Sequence, residues 1–193
     1  MSALPGAVRL APVPADEGER RAIALGLPAA TGRLLAFRVL ANHPELARGV
    51  FTQHAALRHR GLLSDRHREL IIMRVAWRSR SAYEWAQHWS IALGLGLTAD
   101  QLVAVRNWRG SALFDAADRA VLGVVDEVFD LGRVSDVTWQ ACLYTLGDAH
   151  RAIEAVAATT HWRGLAALFA SLDLPLEDGA LPWPPDGIEP SAD

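Results

Sequence analysis

Glu69, Ser81, Tyr83, Glu84 and His88 are the residues of this chain whose types and spacing suit proton chemistry. Glu84 and His88 stand four apart, and residues at that spacing are neighbours on an α-helix, so the carboxylate can hydrogen-bond the imidazole and set its tautomer or charge. Ser81 shares their face. Glu69 precedes Ser81 by one helix and a short turn, so antiparallel packing of two helices brings a second carboxylate to the same place. The group is a candidate acid/base site.

Each member also has a plainer reading. A Glu/His pair at this spacing can be a solvated ion pair contributing about 0.3–0.5 kcal/mol. Glu69 lies among Leu70, Ile71, Ile72, Met73 and Val75. It either sits on a polar edge against Arg66 or Arg74, or is buried with its pKa raised toward neutrality, where it can exchange a proton. Tyr83 either offers its hydroxyl to a substrate carbonyl or oxyanion, or packs with that hydroxyl on a carboxylate. Ser81 is a substrate contact or the N-cap of the helix it begins. Trp85 and Trp89 fall on another face and read as core or subunit-interface packing.

The elements that must position these residues are all helical. Apolar periodicity predicts helices over residues 15–25, 32–41, 44–60, 65–78, 82–93, 99–107, 116–130, 136–146 and 149–172. Ser64 and Ser135 fit N-caps, Thr98 with Gln101 fits a capping box, and Gly147-Asp148 breaks the last pair. Alternating β-branched runs are absent, so the fold class is all-α. A single domain over residues 1–193 is expected. Pro5, Pro12 and Pro14 mark an extended arm over about residues 1–15, and Pro182, Pro184, Pro185 and Pro190 a tail over 182–193. Both are expected to lie over a neighbour or to move freely. A faint echo relates the helix opening at Asp65 to the one opening at Asp115, although Ala120 stands in the second where Glu69 stands in the first.

The order Glu69, Ser81, Tyr83, Glu84, His88, followed by Gly94-Leu95-Gly96-Leu97-Thr98, resembles the carboxymuconolactone decarboxylase superfamily, which includes the alkylhydroperoxidase D proteins. Asn42-His43-Pro44-Glu45-Leu46 and Leu62 to Leu70 look like that family's approach to its signature helix. The resemblance implies an alkylhydroperoxidase D-like helical bundle that assembles as trimers or as hexamers of paired trimers. It also implies that a Cys-x-x-Cys pair would fall on Ser81 and Glu84, with a helper histidine on His88. Neither position is Cys here. Cys142, the chain's one cysteine, lies in another predicted helix and has no resolving partner, so a disulfide relay is excluded. What stands is a Tyr83-Glu84-Trp85-x-x-His88 variant.

Composition narrows the chemistry further. All 19 basic residues are Arg, so no lysine can form an imine or act as a base. The arginines are scattered among acids and the net charge is −3, which argues against nucleic acid as a partner. No apolar run approaches the roughly 20 residues that span a bilayer, and no signal-like start is visible. One cysteine points to no oxidising compartment. A cytoplasmic protein with no membrane contact is expected. His43, His54, His59, His67, His150 and His161 show no metal-ligand spacing, so neither a metal nor another cofactor is expected. A hydrophobic fraction of 51% leaves apolar surface for subunit contacts. The spacing supplies an acid/base pair, and the resemblance implies that it serves a cofactor-independent lyase or isomerase acting on a small, aromatic or lactone-type metabolite by decarboxylation, dehydration or ring opening. Glu84 and His88 would move the proton, with Glu69 and Tyr83 positioning the substrate. The alternatives are a non-catalytic ligand-binding or assembly protein on the same scaffold, and a hydroperoxide-reducing protein using Cys142.

Overall fold

A computed structural model describes residues 8–191, and among them it contains nine α-helices and no strand. They are α1 (Ala15–Ala24), α2 (Leu35–Leu40), α3 (Pro44–His59), α4 (Asp65–Arg78), α5 (Ala82–Gly94), α6 (Ala99–Ala104), α7 (Ala116–Leu131), α8 (Asp136–Leu146) and α9 (Ala149–Ser171). The bundle is built around α4, which packs against α5, α7 and α9. Its run from Arg68 to Ala76 is buried without interruption, so it has no solvent face.

Local chemistry sets the ends of these helices. The Ser64 hydroxyl accepts from the His67 N–H at 3.1 Å, and Ser135 and Asp148 cap α8 and α9 in the same way. Asp115 and Asp118 form a reciprocal capping box at α7, as Thr98 and Gln101 do at α6. Between α4 and α5 the chain turns in three residues. Arg80 takes a left-handed conformation (φ 52°), and the Ser81 N–H reaches back to the Ala76 carbonyl at 2.9 Å. This turn lays α5 back along α4 and brings Glu69 opposite His88.

α7 follows α4 in parallel. Arg66 meets Asp118, Arg74 meets Asp126 and Arg78 meets Asp130, each pair 52 residues apart. A constant separation means that the two helices run in the same direction with fixed register. Asp126 is fully buried and takes Arg74, Arg78, Arg109 and the Trp108 indole N–H together. Three apolar clusters fill the remaining space. One joins α4 to α7, α8 and α9 through Ile71, Val75, Val121, Val125 and Trp162. The second joins α4 to α5 and α6 through Leu70, Met73, Trp85, Trp89 and Leu102. The third gathers Phe37, Phe51, Tyr83, Leu165 and Phe169.

Two expected helices are broken, each for a visible reason. The predicted helix over 32–41 is a 3-10 turn (Ala29–Arg33) followed by α2, because Leu34 is extended and Gly18 and Gly32 bring two backbones into contact. A Cβ on Gly18 would lie 2.2 Å from the Gly32 carbonyl oxygen. The helix over 99–107 ends at Ala104, and the chain continues as a 3-10 turn in which Asn107 leaves helical geometry. Its Val105 and Arg106 carbonyls face Arg74 at 3.0 and 2.9 Å.

The arm and tail differ from expectation as far as they are described; residues 1–7 and 192–193 lie outside the described residues. The Arg9 and Val13 N–H groups bond the Leu172 and Arg38 carbonyls. Trp183 is buried against Trp77 and Trp85, Trp85 donates its indole N–H to the Pro184 carbonyl at 2.8 Å, and Asp186 clasps Arg106. Tryptophan burial and a two-point ion pair hold the tail on its own chain. The apolar surplus goes largely inside as well: five of the seven tryptophans (85, 89, 108, 162 and 183) are buried.

Asp126→Ala would leave Arg74 buried without its counter-charge, which is expected to cost about 3–5 kcal/mol. Urea unfolding monitored by circular dichroism measures this, and a loss below about 1 kcal/mol would show that Asp126 does not organise the α4–α7 contact.

Candidate functional site

His88 sits at the centre of the site, 4% exposed, on the face of α5 that meets α4 and α9. Its Nδ1 lies 2.7 Å from Glu69 Oε2, and its Nε2 lies 3.3 Å from the Trp162 indole nitrogen. An indole N–H can only donate, so Nε2 is the accepting nitrogen and the proton sits on Nδ1, donated to Glu69. These two contacts hold the orientation of the ring from both sides. Glu84 Oε2 stands 3.6 Å from Nε2, too long for a hydrogen bond but close enough for a proton to pass after a small movement.

The two carboxyls behave differently. Glu69 is fully buried and its other oxygen faces Arg68 Nε at 3.4 Å. Burial pushes Glu69 upward, but its electrostatic and hydrogen-bonding contact with His88, followed by Arg68 and Arg58, outweighs it and holds the group below the ordinary carboxylate range. Glu69 is therefore ionised, contrary to the raised value expected from its apolar neighbours. Its partners also differ from the expected Arg66 and Arg74, which are committed to Asp118 and Asp126. The raised carboxyl is Glu84. Burial lifts it to about 7, with His88 opposing the shift and the charge of Glu69 adding to it.

Glu84 opens into a cavity of about 260 Å³ and has no side-chain hydrogen-bond partner among the described residues. Phe51, His54 and Arg58 of α3 form one wall, and Glu84, Gln87, His88 and Ile91 of α5 another. Leu165 and Phe169 of α9 close the apolar end. Such a space, mostly apolar with a few converging polar groups, is what a small-molecule site requires.

Tyr83 lines the cavity with its ring, but its hydroxyl donates to Glu177 Oε1 at 3.0 Å. Of its two readings the structure shows the hydroxyl packed on a carboxylate; burial and then Glu177 push its pKa up. Ser81 does not line this cavity. It caps α5 by accepting from the Glu84 N–H at 3.3 Å and borders a separate cleft, which corrects its reading as a substrate contact. Trp85 and Trp89 belong to the core beside α4 and α6. Cys142 is fully buried between α7, α8 and α9, and burial, then Glu127, push its thiol up to about 11, so it is not an attacking thiolate. Among the described residues no group of three or more His, Cys, Asp or Glu is placed to hold a metal ion. No described helix is long and apolar enough to cross a membrane.

Sequence reasoning missed Trp162, Glu177, His54 and Arg58. Trp162 lies 74 residues from His88, and Glu177 lies 94 residues from Tyr83 in a segment without periodicity. No spacing rule connects elements so far apart. His54 and Arg58 do share one helical face four residues apart, which was a legible signal.

The fold is that of the alkylhydroperoxidase D-like helical proteins. An uncharacterized peroxidase-related protein from Ralstonia eutropha JMP134, an alkylhydroperoxidase AhpD core, superposes with a TM-score of 0.74 at 18% identity, covering 89% of this chain and 93% of its own. A peroxidase-related protein from Silicibacter sp. TM1040 gives 0.68 at 12% identity, covering 91% and 95%. A protein of unknown function from Agrobacterium tumefaciens, described as a candidate antioxidant defence protein AhpD, gives 0.66 at 18%, covering 72% and 94%. Residues 44–127 match the model of the carboxymuconolactone decarboxylase family, a span that carries α3, the whole α4–α5 pair and with them Glu69, Glu84 and His88. The chain thus has the alkylhydroperoxidase D-like fold, and its residues 44–127 are similar to the carboxymuconolactone decarboxylase family. No curated protein sequence matches it.

The two carboxyls make opposite contributions to the pH dependence of stability. Glu84, raised in the fold, favours the folded state at pH below about 4.5 and loses that contribution as pH rises through about 7. Glu69, depressed in the fold, stabilises above its unfolded value and loses that contribution only as pH falls through its folded one. Wild type should therefore lose on the order of 3 kcal/mol relative to Glu84→Gln between pH 4.5 and pH 8. Parallel stability curves for the two proteins across this window would show that Glu84 does not titrate near neutrality.

Proposed function

We propose that this chain is an acid/base enzyme, a lyase or isomerase acting on a small metabolite with an apolar body, and that Glu84 exchanges the proton with the substrate. One observation carries the reading: a buried carboxyl raised to about 7, without a hydrogen-bond partner, at the wall of a small cavity. A group poised near working pH can both give and take a proton. Decarboxylation, dehydration, ring opening and tautomerisation all need such a group, and this chemistry requires only the chain's own side chains.

Behind Glu84 the residues form a relay. When Glu84 takes a proton from substrate, His88 Nε2 is the next acceptor, and the imidazolium that forms is stabilised by the ionised Glu69 on its far nitrogen. Trp162 holds the Nε2 lone pair until then. In the reverse direction Glu84 protonates the carbon skeleton as, for example, a carboxylate leaves as carbon dioxide and its bonding electrons pass into an enolate. Apolar walls favour such a loss of charge. Tyr83, tied to Glu177, shapes the cavity and does not exchange protons.

Glu84→Gln and His88→Ala should each lower turnover by about 10²–10⁴-fold with the fold retained. Wild type and variants incubated with metabolite extracts, with consumed masses followed by mass spectrometry, make the test. A rate that falls as pH rises through about 7 marks Glu84 as the acid of a lyase, and a rate that climbs marks it as the base of an isomerase. If no mass depends on Glu84 or His88, the chain is a binding or assembly protein.

We also propose a homo-oligomer, trimer or hexamer. Val137 and Tyr144 of α8 are 80% and 90% exposed beside a groove floored by Ala120 and Gly123, a surface suited to a subunit contact. Light scattering should give a trimer or larger for wild type and a smaller species for Tyr144→Arg; a wild-type monomer at micromolar concentration would overturn this.

A further inference from the structure

The cavity has two walls of opposite electrical character. α5 contributes Glu84, with Glu69 behind it, and α3 contributes Arg58 and His54, four residues apart on one helical face. Most arginines near this core are committed: Arg66, Arg68, Arg74 and Arg78 each meet a carboxylate. Arg58 is half-buried, lines the cavity, and among the described residues its guanidinium meets no carboxylate and no hydrogen-bond acceptor; only its backbone carbonyl is used, by Arg68. A guanidinium left unpaired at an apolar cavity is a strong, two-point receptor for a carboxylate.

His54 complements it. Its Nδ1 faces His161 Nε2 at 3.5 Å and its ring leans on Trp162, with centroids 5.2 Å apart. When His161 donates to Nδ1, His54 carries its own proton on Nε2, where it is available to an anion in the cavity that His54 lines. Burial, then His161, His88 and Arg58, keep His54 neutral by pushing its pKa down to about 3. The α3 wall therefore offers one positive charge and one neutral donor, while the α5 wall repels an anion.

We propose that His54 and Arg58 form an anion-receiving subsite, and that the molecule held here carries a carboxylate that is bound at α3 and stays attached while its reacting end meets Glu84. This rests on the cavity's being the substrate site. It adds a direction to that site: the acid group is an anchor, not the group that leaves.

Benzoate and benzamide share a shape and differ in charge, so calorimetric titration of each at pH 7 tests the subsite without knowledge of the substrate. Benzoate should bind at least about ten-fold more tightly than benzamide, and Arg58→Gln should remove most of that difference. His54→Phe, which keeps a ring but removes the donor, should weaken benzoate and leave benzamide unchanged. Glu84→Gln should bind benzoate as well as wild type or better. Equal affinity for the two ligands in wild type, no benzoate binding at millimolar concentration, or full benzoate affinity in Arg58→Gln would each overturn the proposal. The wild-type comparison decides even if a variant fails to fold. Arg58-dependent benzoate binding with no metabolite consumed would sink the enzyme reading and leave the subsite. Glu84-dependent turnover with no preference for benzoate would do the reverse.

Discussion

A helix with no solvent face cannot leave its charges to water, and α4 is such a helix. Arg68, Glu69 and Arg74 lie within its buried run, and each ionised group there would be strongly destabilising alone. Two of the covering helices therefore bring an opposite charge or a donor to defined points, and Asp65 of α4 itself meets Arg68. α7 brings Asp118, Asp126 and Asp130 in one register, and α5 brings His88 to Glu69. Hydrophobic contact alone would allow these helices to slide. The pairs do not, because a shift of one residue would strand several charges at once.

The site is one consequence of that constraint. Glu69 orients His88 because it needs a donor in its buried position, and His88 then presents its other nitrogen toward Trp162 and Glu84. Two carboxyls a few ångströms from one imidazole are driven apart in acidity. The one with a hydrogen bond and a guanidinium ionises, and the one facing an apolar cavity does not readily do so. Environment, not residue type, divides the roles.

Two residues at the start of α5 are put to different uses. Ser81 is a helix cap and Glu84 the cavity-facing group. A shared fold can host different chemistry when positions such as these change.

Much of this was legible in the chain. The apolar period and the caps at Ser64, Thr98 and Ser135 located most helices, because those interactions are local and their partners lie within four residues. The i, i+4 spacing of Glu84 and His88, and the short turn after Glu69, were enough to foresee that three residues would gather. Sequence could not say which carboxyl would be ionised, since that depends on Arg68, His88 and the cavity acting together at one point. Nor could it foresee the fate of the Tyr83 hydroxyl, which is decided by Glu177 in a loop 94 residues away, or that the proline-rich tail would be held by Trp183 and Asp186. Periodicity and capping report on neighbours along the chain. Acidity, tautomer and cavity shape are set by groups that only the tertiary packing brings within a few ångströms, and there the electrostatic free energies are largest.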